Sequence, residues 1–399
     1  MELFKHDAYF DFMRLRRMNV TISLITFSLA IGCYFFPGPN WGLDFKGGTE
    51  IQLAFRGNVT AAELRSTMSA IGHTAGEVVS VEGKPNEYIV RIGEVSALSA
   101  ADKARIHTRL LRGFPGSRAG VQETKFSPGG DKISLRLSDS ASPDAIRTTL
   151  VEAGARVREN GCVRFGSQSA NRYECALIGI ADEVIAGLHQ RLGERAPEAA
   201  LRVEWVGPKA GAQLRDSAIK SLLFAMALIM VYIAFRFDLR FAPGAVIAMF
   251  HDAVITAGIL ILLRKEFTLT TVAALLTIVG YSVNDTIVVY DRIRENLGRL
   301  RGKSMVEVIN VSTSQTLSRT ILTSVVTAMS VLGFLIWGTP VIRDFAETMI
   351  IGIVIGTYSS IYVAAPVTEW LDRHYFSTAP DKSKAPARRG GRAQTAKKA

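Results

Sequence analysis

The sequence predicts a polytopic α-helical membrane protein with six transmembrane helices and one inserted α+β domain. Three observations lead there. Six apolar segments of about 17–25 residues can be read along the 399-residue chain, the length that a hydrocarbon core demands. Basic residues cluster on alternate connections between these segments, the asymmetry that orients membrane helices. Between the first and second segments lies a polar stretch, residues 38–217, long enough to bury a core of its own. Hydrophobic content is only 48% because this insert dilutes the spans.

The apolar segments are 19–36, 218–235, 242–263, 268–290, 320–337 and 345–365. Lys5, Arg14, Arg16 and Arg17 precede the first and place the N-terminus inside. Arg236 and Arg240 follow the second; Arg292, Arg294, Arg299, Arg301 and Lys303 follow the fourth. Arg264, Lys265 and Arg343 on the outer connections break the pattern lightly. An even number of spans then puts both termini in the cytoplasm. The first span lacks a small-x-small cleavage site and reads as an uncleaved anchor, with Cys33 a small core residue. The organisation is therefore a cytoplasmic N-terminus at 1–18, a first span at 19–37, the extracytoplasmic domain at 38–217, a five-span bundle at 218–372 and a basic tail at 373–399. Seven basic residues against Asp381 within 378–399 account for +6 of the net charge of +11. That composition predicts a disordered tail resting on anionic lipid or docking a cytosolic partner. No motif points to nucleic acid.

Within the insert, period-2 and period-3.6 patterns alternate. Strands are predicted at 50–55, 76–81, 87–92, 120–126, 132–137, 155–160, 173–178 and 201–206, with helices at 61–71, 98–112, 143–153 and 181–192. This order is β-α-β-β-α-β written twice, a duplicated ferredoxin-like, split βαβ arrangement. A faint echo supports duplication: residues 62–68 align with 144–150 at an offset of 82. The expected lobes are 50–126 and 131–207, divided at Ser127-Pro128-Gly129-Gly130. Cys162 and Cys175 lie on neighbouring strands, equidistant from a turn near 168–169, and are predicted to form a disulfide in an oxidising compartment. No metal-ligand cluster, nucleophile elbow or phosphate loop is visible, and the six histidines are scattered. The insert reads as a binding or moving part, and the chain does not read as an enzyme.

The informative residues lie in the membrane. Asp285, in the fourth apolar segment, is an intramembrane acid and hence a candidate functional site. Arg319 lies 34 residues later at the mouth of the next segment. If the two helices fold back about Gly302, the pair falls at similar depth. Two readings stay open, an ion pair that only sets helix register and a carboxylate that titrates as an ion crosses. Ser282, Asn284 and Thr323 are candidate supports, as is Asp252 beside His251. Thr320, Ser324 and Thr327 make the start of the fifth span polar. Gly352, Gly356, Ser360 and Ala364 recur every four residues on the last span, a close-packing pattern. Asp44, with Gly47 and Gly48 after it, reads as a turn or cap that fixes how the domain sits on the membrane.

Several segments carry a resemblance: Gly42-Leu43-Asp44-Phe45-Lys46-Gly47-Gly48-Thr49, Val206-Gly207-Pro208, Tyr232 to Phe237, His251-Asp252, residues 279–296, Gln315 to Thr320 and Gly356 to Ala364. Together they resemble the SecF family of the SecDF protein-export complexes, in the resistance-nodulation-division superfamily. The resemblance implies a six-span half-transporter of the bacterial inner membrane. It would pair with SecD and YajC, assist the SecYEG channel, act on a translocating unfolded polypeptide and draw on the proton-motive force. It maps the family's intramembrane acid and arginine onto Asp285 and Arg319. No cofactor is implied beyond the coupling ion, a proton or sodium. The insert is larger than the family's usual domain. Two other functions stay open, a small-molecule or lipid exporter of the same superfamily and a non-transporting scaffold for channel assembly.

Overall fold

The structure, a computed structural model, describes residues 9–73, 75–81, 83–114, 120–166, 171–238 and 240–376. Lys5, the expected turn at 168–169 and the basic tail from 377 onward lie outside the described residues. In chain order the elements are α1 (Arg16–Phe35), β1 (Asn40–Trp41), α2 (Leu43–Lys46), β2 (Gly48–Ala54), α3 (Ala61–Ala70), β3 (Ala75–Ser80), β4 (Glu87–Ile92), α4 (Ala100–Gly113), β5 (Val121–Phe126) and β6 (Lys132–Leu137). Then follow α5 (Pro143–Glu152), β7 (Val157–Phe165), β8 (Arg172–Leu177), α6 (Ile180–Leu192), β9 (Ala200–Val206), α7 (Pro208–Arg236), α8 (Ala242–Leu262), β10 (Glu266–Phe267), α9 (Leu269–Arg299), α10 (Met305–Trp337), α11 (Pro340–Ser359) and α12 (Ala365–Leu371).

Among the described residues, six helices are long and apolar enough to cross a membrane. Their lipid-facing surfaces stay apolar: Leu24, Leu29, Phe224, Val326 and Met329 are all exposed, as hydrocarbon permits and water does not. Inside the bundle, small residues of α8 (Ala245, Ala248, Ala253) pack with Val279, Val283, Val289 and Ile293 of α9. Between α11 and α12 the helix widens into π-type turns over Ser360–Ala364.

Three helices extend past their apolar stretches. α7 begins at Pro208, ten residues before the expected start, with proline at its first position, where the missing N–H costs nothing. The insert therefore ends at Gly207 rather than at 217. α9 and α10 run for 31 and 33 residues. Thr268 and Ser304 cap their N-termini by accepting from the N–H groups of Thr271 and Glu307.

The insert holds two four-stranded antiparallel sheets, ordered β3-β4-β2-β9 and β5-β6-β8-β7. Both have the split-βαβ strand order, but their membership corrects the expected lobes 50–126 and 131–207. The first sheet takes its last strand, β9, from the end of the insert and buries Ile51, Leu53, Leu64 and Met68 against Ile180, Val184 and Leu188 of α6. The second buries Ile133, Leu135, Ile146 and Leu150 against Ile106 and Leu110 of α4. Each lobe has thus taken the second α-β pair of the other sequence half. β5 and β6 form one hairpin, with Phe126 opposite Ile133. Its turn is tied by the Ser127 Oγ, which donates to Asp131 Oδ1 at 2.6 Å and accepts from the Lys132 N–H at 3.0 Å. Ser127 to Gly130 is therefore a tight turn inside a lobe, not a boundary. Linear order could not settle this, because α4 and α6 present similar apolar stripes and either covers a sheet face.

On β7 and β8, Cys162 stands opposite Cys175, and the two are joined by a disulfide with Cα atoms 4.0 Å apart.

Candidate ion-coupling site and its link to the soluble lobes

α9 and α10 are antiparallel neighbours, and polar side chains fix their register. Asn296 Nδ2 donates to Ser312 Oγ at 2.9 Å and Arg292 Nε to Gln315 Oε1 at 2.7 Å. Further along, Ser324 Oγ lies 3.5 Å from Asp285 Oδ2, as donor. This register places Asp285 level with Ser324. Arg319, five residues earlier on α10, lies about 7 Å nearer the α9–α10 loop. No ion pair within 4 Å joins Asp285 and Arg319 among the described residues. Asp285 is 2% exposed, whereas Arg319 is exposed on the outer face of α10. Similar depth does not bring contact, because the helices are offset by about one turn from a symmetric fold-over at Gly302.

Among the described residues, the Asp285 carboxylate is thus buried with a single long hydrogen bond. The one hydroxyl proton of Ser324 is shared: the Thr320 carbonyl, at 2.8 Å, competes for it with Asp285, while Ser324 Oγ lies 2.7 Å from Thr357 Oγ1 on α11 and accepts from Tyr281 OH at 3.3 Å. Thr323 returns its hydroxyl to the Arg319 and Thr320 carbonyls, and Asn284 is exposed. Neither reaches the acid through a hydrogen bond among the described residues. Thr320 Oγ1 is buried without a hydrogen-bond partner among the described residues, one turn from Ser324.

Asp252 on α8 presents the opposite case. It is 0% exposed, and its Oδ2 accepts from Ser282 Oγ and, at 2.6 Å, from Ser359 Oγ. Its Oδ1 lies 2.8 Å from His251 Nδ1, and the His251 ring runs nearly parallel to Phe27 and within 24° of Tyr358, centroids 6.3 and 6.5 Å away. Ser282 and Asp285 are three residues apart on one face of α9, so the two acids flank one polar seam running from α8 to α11. Sequence reasoning missed Ser359 and Thr357. Their signal was present, because Thr357 and Ser359 flank the close-packed stripe of α11.

That stripe holds α11 against α9. A Cβ added at Gly352 would fall on the side chain of Ile278, and one at Gly356 would lie 3.0 Å from Ser282 Cβ. Ser360, at the first π-type turn, donates to the Thr357 carbonyl at 3.0 Å.

The other end of α9 meets the insert. Asp44 Oδ2 accepts from the Leu269 N–H at 2.9 Å, a cap on the first turn of α9 delivered from 225 residues away. β1 pairs in parallel with β10, and the Gly42 N–H donates to the Phe267 carbonyl at 2.9 Å. Arg91 of β4 bridges Glu50 and Glu77 within the first lobe to Glu266 on the α8–α9 connection. Gly47 has φ +76°, and a Cβ there would lie 2.8 Å from Pro208 Cα; Gly48 has φ +130°. Both conditions call for glycine, and this turn threads the chain between α7 and β4.

Comparison with known proteins agrees with this architecture. Residues 190–374 match the family described as protein export membrane protein SecD/SecF, C-terminal, and residues 35–59 match the SecD/SecF GG motif. A protein translocase subunit SecF from Magnetococcus marinus is 34% identical over 93% of this chain and 95% of its own length. A protein translocase subunit SecDF from Thermus thermophilus is 33% identical over 92% of this chain, which spans only 39% of that longer protein. The crystal structure of SecDF from the same organism, titled a translocon-associated membrane protein, superposes with a TM-score of 0.60 at 32% identity, covering 92% of this chain and 39% of that one. With its six spans, inserted α+β lobes and glycine-pair turn, the chain belongs to the SecF family of protein translocase subunits.

Proposed function

We propose that the chain is an accessory subunit of the Sec protein translocase that couples proton entry at Asp285 to movement of its extracytoplasmic lobes. In this reading it sits in the bacterial inner membrane with both termini in the cytoplasm. It pairs with SecD, as the two are joined in the fused Thermus relative, and it works beside SecYEG and YajC on an unfolded polypeptide. The observation that carries the reading is the pairing of opposites on α9: an acid with one 3.5 Å hydrogen bond among the described residues in its middle and a cap from α2 of the insert at its N-terminus.

A bare carboxylate in a hydrocarbon layer is costly unless neutralised or hydrated. Asp285 has little hydrogen bonding to offset its charge, so gain and loss of a proton change the packing preference of α9 against α10 and α11. Arg319, a turn away and exposed, supplies a positive field without locking the acid into a pair. One charge crossing 100 mV releases about 2.3 kcal/mol, enough to shift a two-state element by about fiftyfold. Ser282 and Asp252 hold the neighbouring segment of α9 to α8 while this happens.

The test is Asp285→Asn, which keeps size and loses titration. Export driven by an imposed pH gradient should be abolished in vesicles containing the variant, with membrane insertion and SecD binding retained. Export that keeps its wild-type gradient dependence would sink the assignment, and an unchanged response to a sodium gradient alone identifies the proton.

A further inference from the structure

An open groove runs along the bundle between α1 and the α11–α12 segment. Two cavities meet in it. The one at the end remote from the lobes, of about 280 Å³, is lined by Arg16, Arg17, Glu369 and Trp370. The deeper one, of about 390 Å³, is walled by Leu24, Phe27, Ile247 and Phe250. Val20 and Val367 line both, so the two are one continuous groove with a basic mouth and an apolar wall.

We propose that this groove binds one anionic phospholipid, with its phosphate at Arg17 and an acyl chain lying over Val20, Leu24 and Phe27. The dimensions fit a lipid of a single leaflet. Arg16 and Phe27 are separated by about 16 Å along α1, close to half of the roughly 30 Å hydrocarbon core. The charges fit as well. Arg16 is compensated by Glu369, 3.3 Å away, while Arg17 is exposed and makes no ion pair among the described residues. With Arg14 also exposed nearby, the mouth carries net positive charge, the kind of site that draws anionic headgroups. Trp370 at the rim is 51% exposed and meets His374 with the ring planes tilted by 37° and centroids 4.7 Å apart, the aromatic furniture of a membrane interface. A partner helix could cover the apolar wall but would leave Arg17 buried without a counter-charge. A phospholipid supplies chain and anion together.

The experiment titrates the purified full chain in mild detergent with phosphatidylglycerol and with phosphatidylcholine of identical acyl chains, scoring retained lipid by native mass spectrometry. Wild-type chain should prefer phosphatidylglycerol by about fivefold, the weight of one basic residue at an anionic headgroup. Arg17→Gln should erase that preference and leave phosphatidylcholine binding unchanged. Arg112→Gln, the same charge loss on the soluble α4, should leave the preference intact. Leu24→Trp, at a position already 62% exposed, should fill the groove and weaken both lipids. Equal binding of the two lipids by wild-type chain would overturn the proposal, as would a preference that survives Arg17→Gln. So would equal competition by glycerol phosphate, which has the anion and no chain, or an efficient cross-link from Leu24→Cys to a partner subunit in the intact complex.

Discussion

Gly352 offers the sharpest test of how α9 is held. The three atoms nearest to a Cβ added there all belong to the side chain of Ile278, which is itself fully buried. The steric cost of Gly352→Ala therefore comes from one neighbour. Overpacking of this kind costs about 1–3 kcal/mol. Ile278→Ala alone removes packing atoms and should cost about 2 kcal/mol, the low end for such truncations, because lipid is as apolar as the helix surface and little transfer energy is lost. In the double variant the new methyl occupies space that Ile278 vacated, so the two costs should cancel in part. A coupling of about 1–2 kcal/mol in the rescuing direction is expected for residues in direct contact. Denaturant unfolding of the purified chain in mild detergent, followed by tryptophan fluorescence, gives the four stabilities needed. Strictly additive costs would refute the α9–α11 contact, and with it the placement of Ser282 and Asp285 beside Thr357 and Ser359.

Three further outcomes concern the insert. Replacing Cys162 and Cys175 by serine opens a loop of separation 13 and should destabilise the second lobe by about 3 kcal/mol; hydrogen exchange should show faster opening around Leu135 and Leu150 and no change around Leu53 and Met68. Arg195, hydrogen-bonded to Glu63 at 2.8 Å, holds that carboxyl below its ordinary range, with the Thr60 backbone adding to the effect. A depressed native value stabilises above the unfolded value of about 4.3 and the benefit is lost as pH falls through the native one. The difference in lobe stability between wild type and Glu63→Gln should therefore be full at pH 7 and shrink in acid; a pH-independent difference would contradict the assignment. Finally, replacing residues 95–178 by a short Gly/Ser linker should leave a protease-resistant first lobe, because β2, α3, β3, β4, α6 and β9 remain. Lobes divided at 127–130 would both be destroyed by the same deletion.

Much of this architecture was legible because periodicity is local. The predicted strands at 87–92 and 132–137 coincide with β4 and β6, and most other predicted elements of the insert end within two residues of the observed ones. However, β7 runs five residues past its expected end, and the short β1 and α2 were not foreseen. What was illegible is what depends on distant contacts. The exchange of α-β pairs between lobes leaves no trace in a sequence whose two halves read alike. The early start of α7 was hidden because Lys209, Gln213, Arg215 and Asp216 are polar, although α7 is continuous through them. At the site, the acid itself stood out by chemistry alone. Its setting did not, because a symmetric fold-over at Gly302 ignores the register that Asn296, Ser312, Arg292 and Gln315 impose. The partner of Asp44 could not be foreseen, since nothing in the turn around it names a helix N-terminus more than two hundred residues away.

That cap also determines how motion would reach the lobes under the proposed coupling. From Asp285 to Leu269 is 16 residues of unbroken helix, about 24 Å, so a shift at the acid is carried along α9 as a rigid displacement. At its N-terminus the helix holds α2, just before the Gly47 turn, by the Asp44 cap, worth about 0.5–2 kcal/mol, and the connection before the helix holds the lobe itself by the part-buried Arg91–Glu266 bridge. Acting together, these contacts are comparable to the roughly 2.3 kcal/mol that one charge gains across 100 mV. The lobe then follows α9 more readily than it detaches. The chain supplies a place for it to turn. Only Gly207 separates β9 from α7, and only Gly47 separates α2 from β2, so both covalent connections between the first lobe and the membrane pass through single glycines. A Cβ at Gly47 would meet Pro208, whereas none of the neighbouring atoms crowds Gly207 within 4 Å. The Gly47 connection is therefore fixed by packing, whereas a side chain at Gly207 would meet open space, which gives the lobe one tightly packed post, one uncrowded post and a lever on α9.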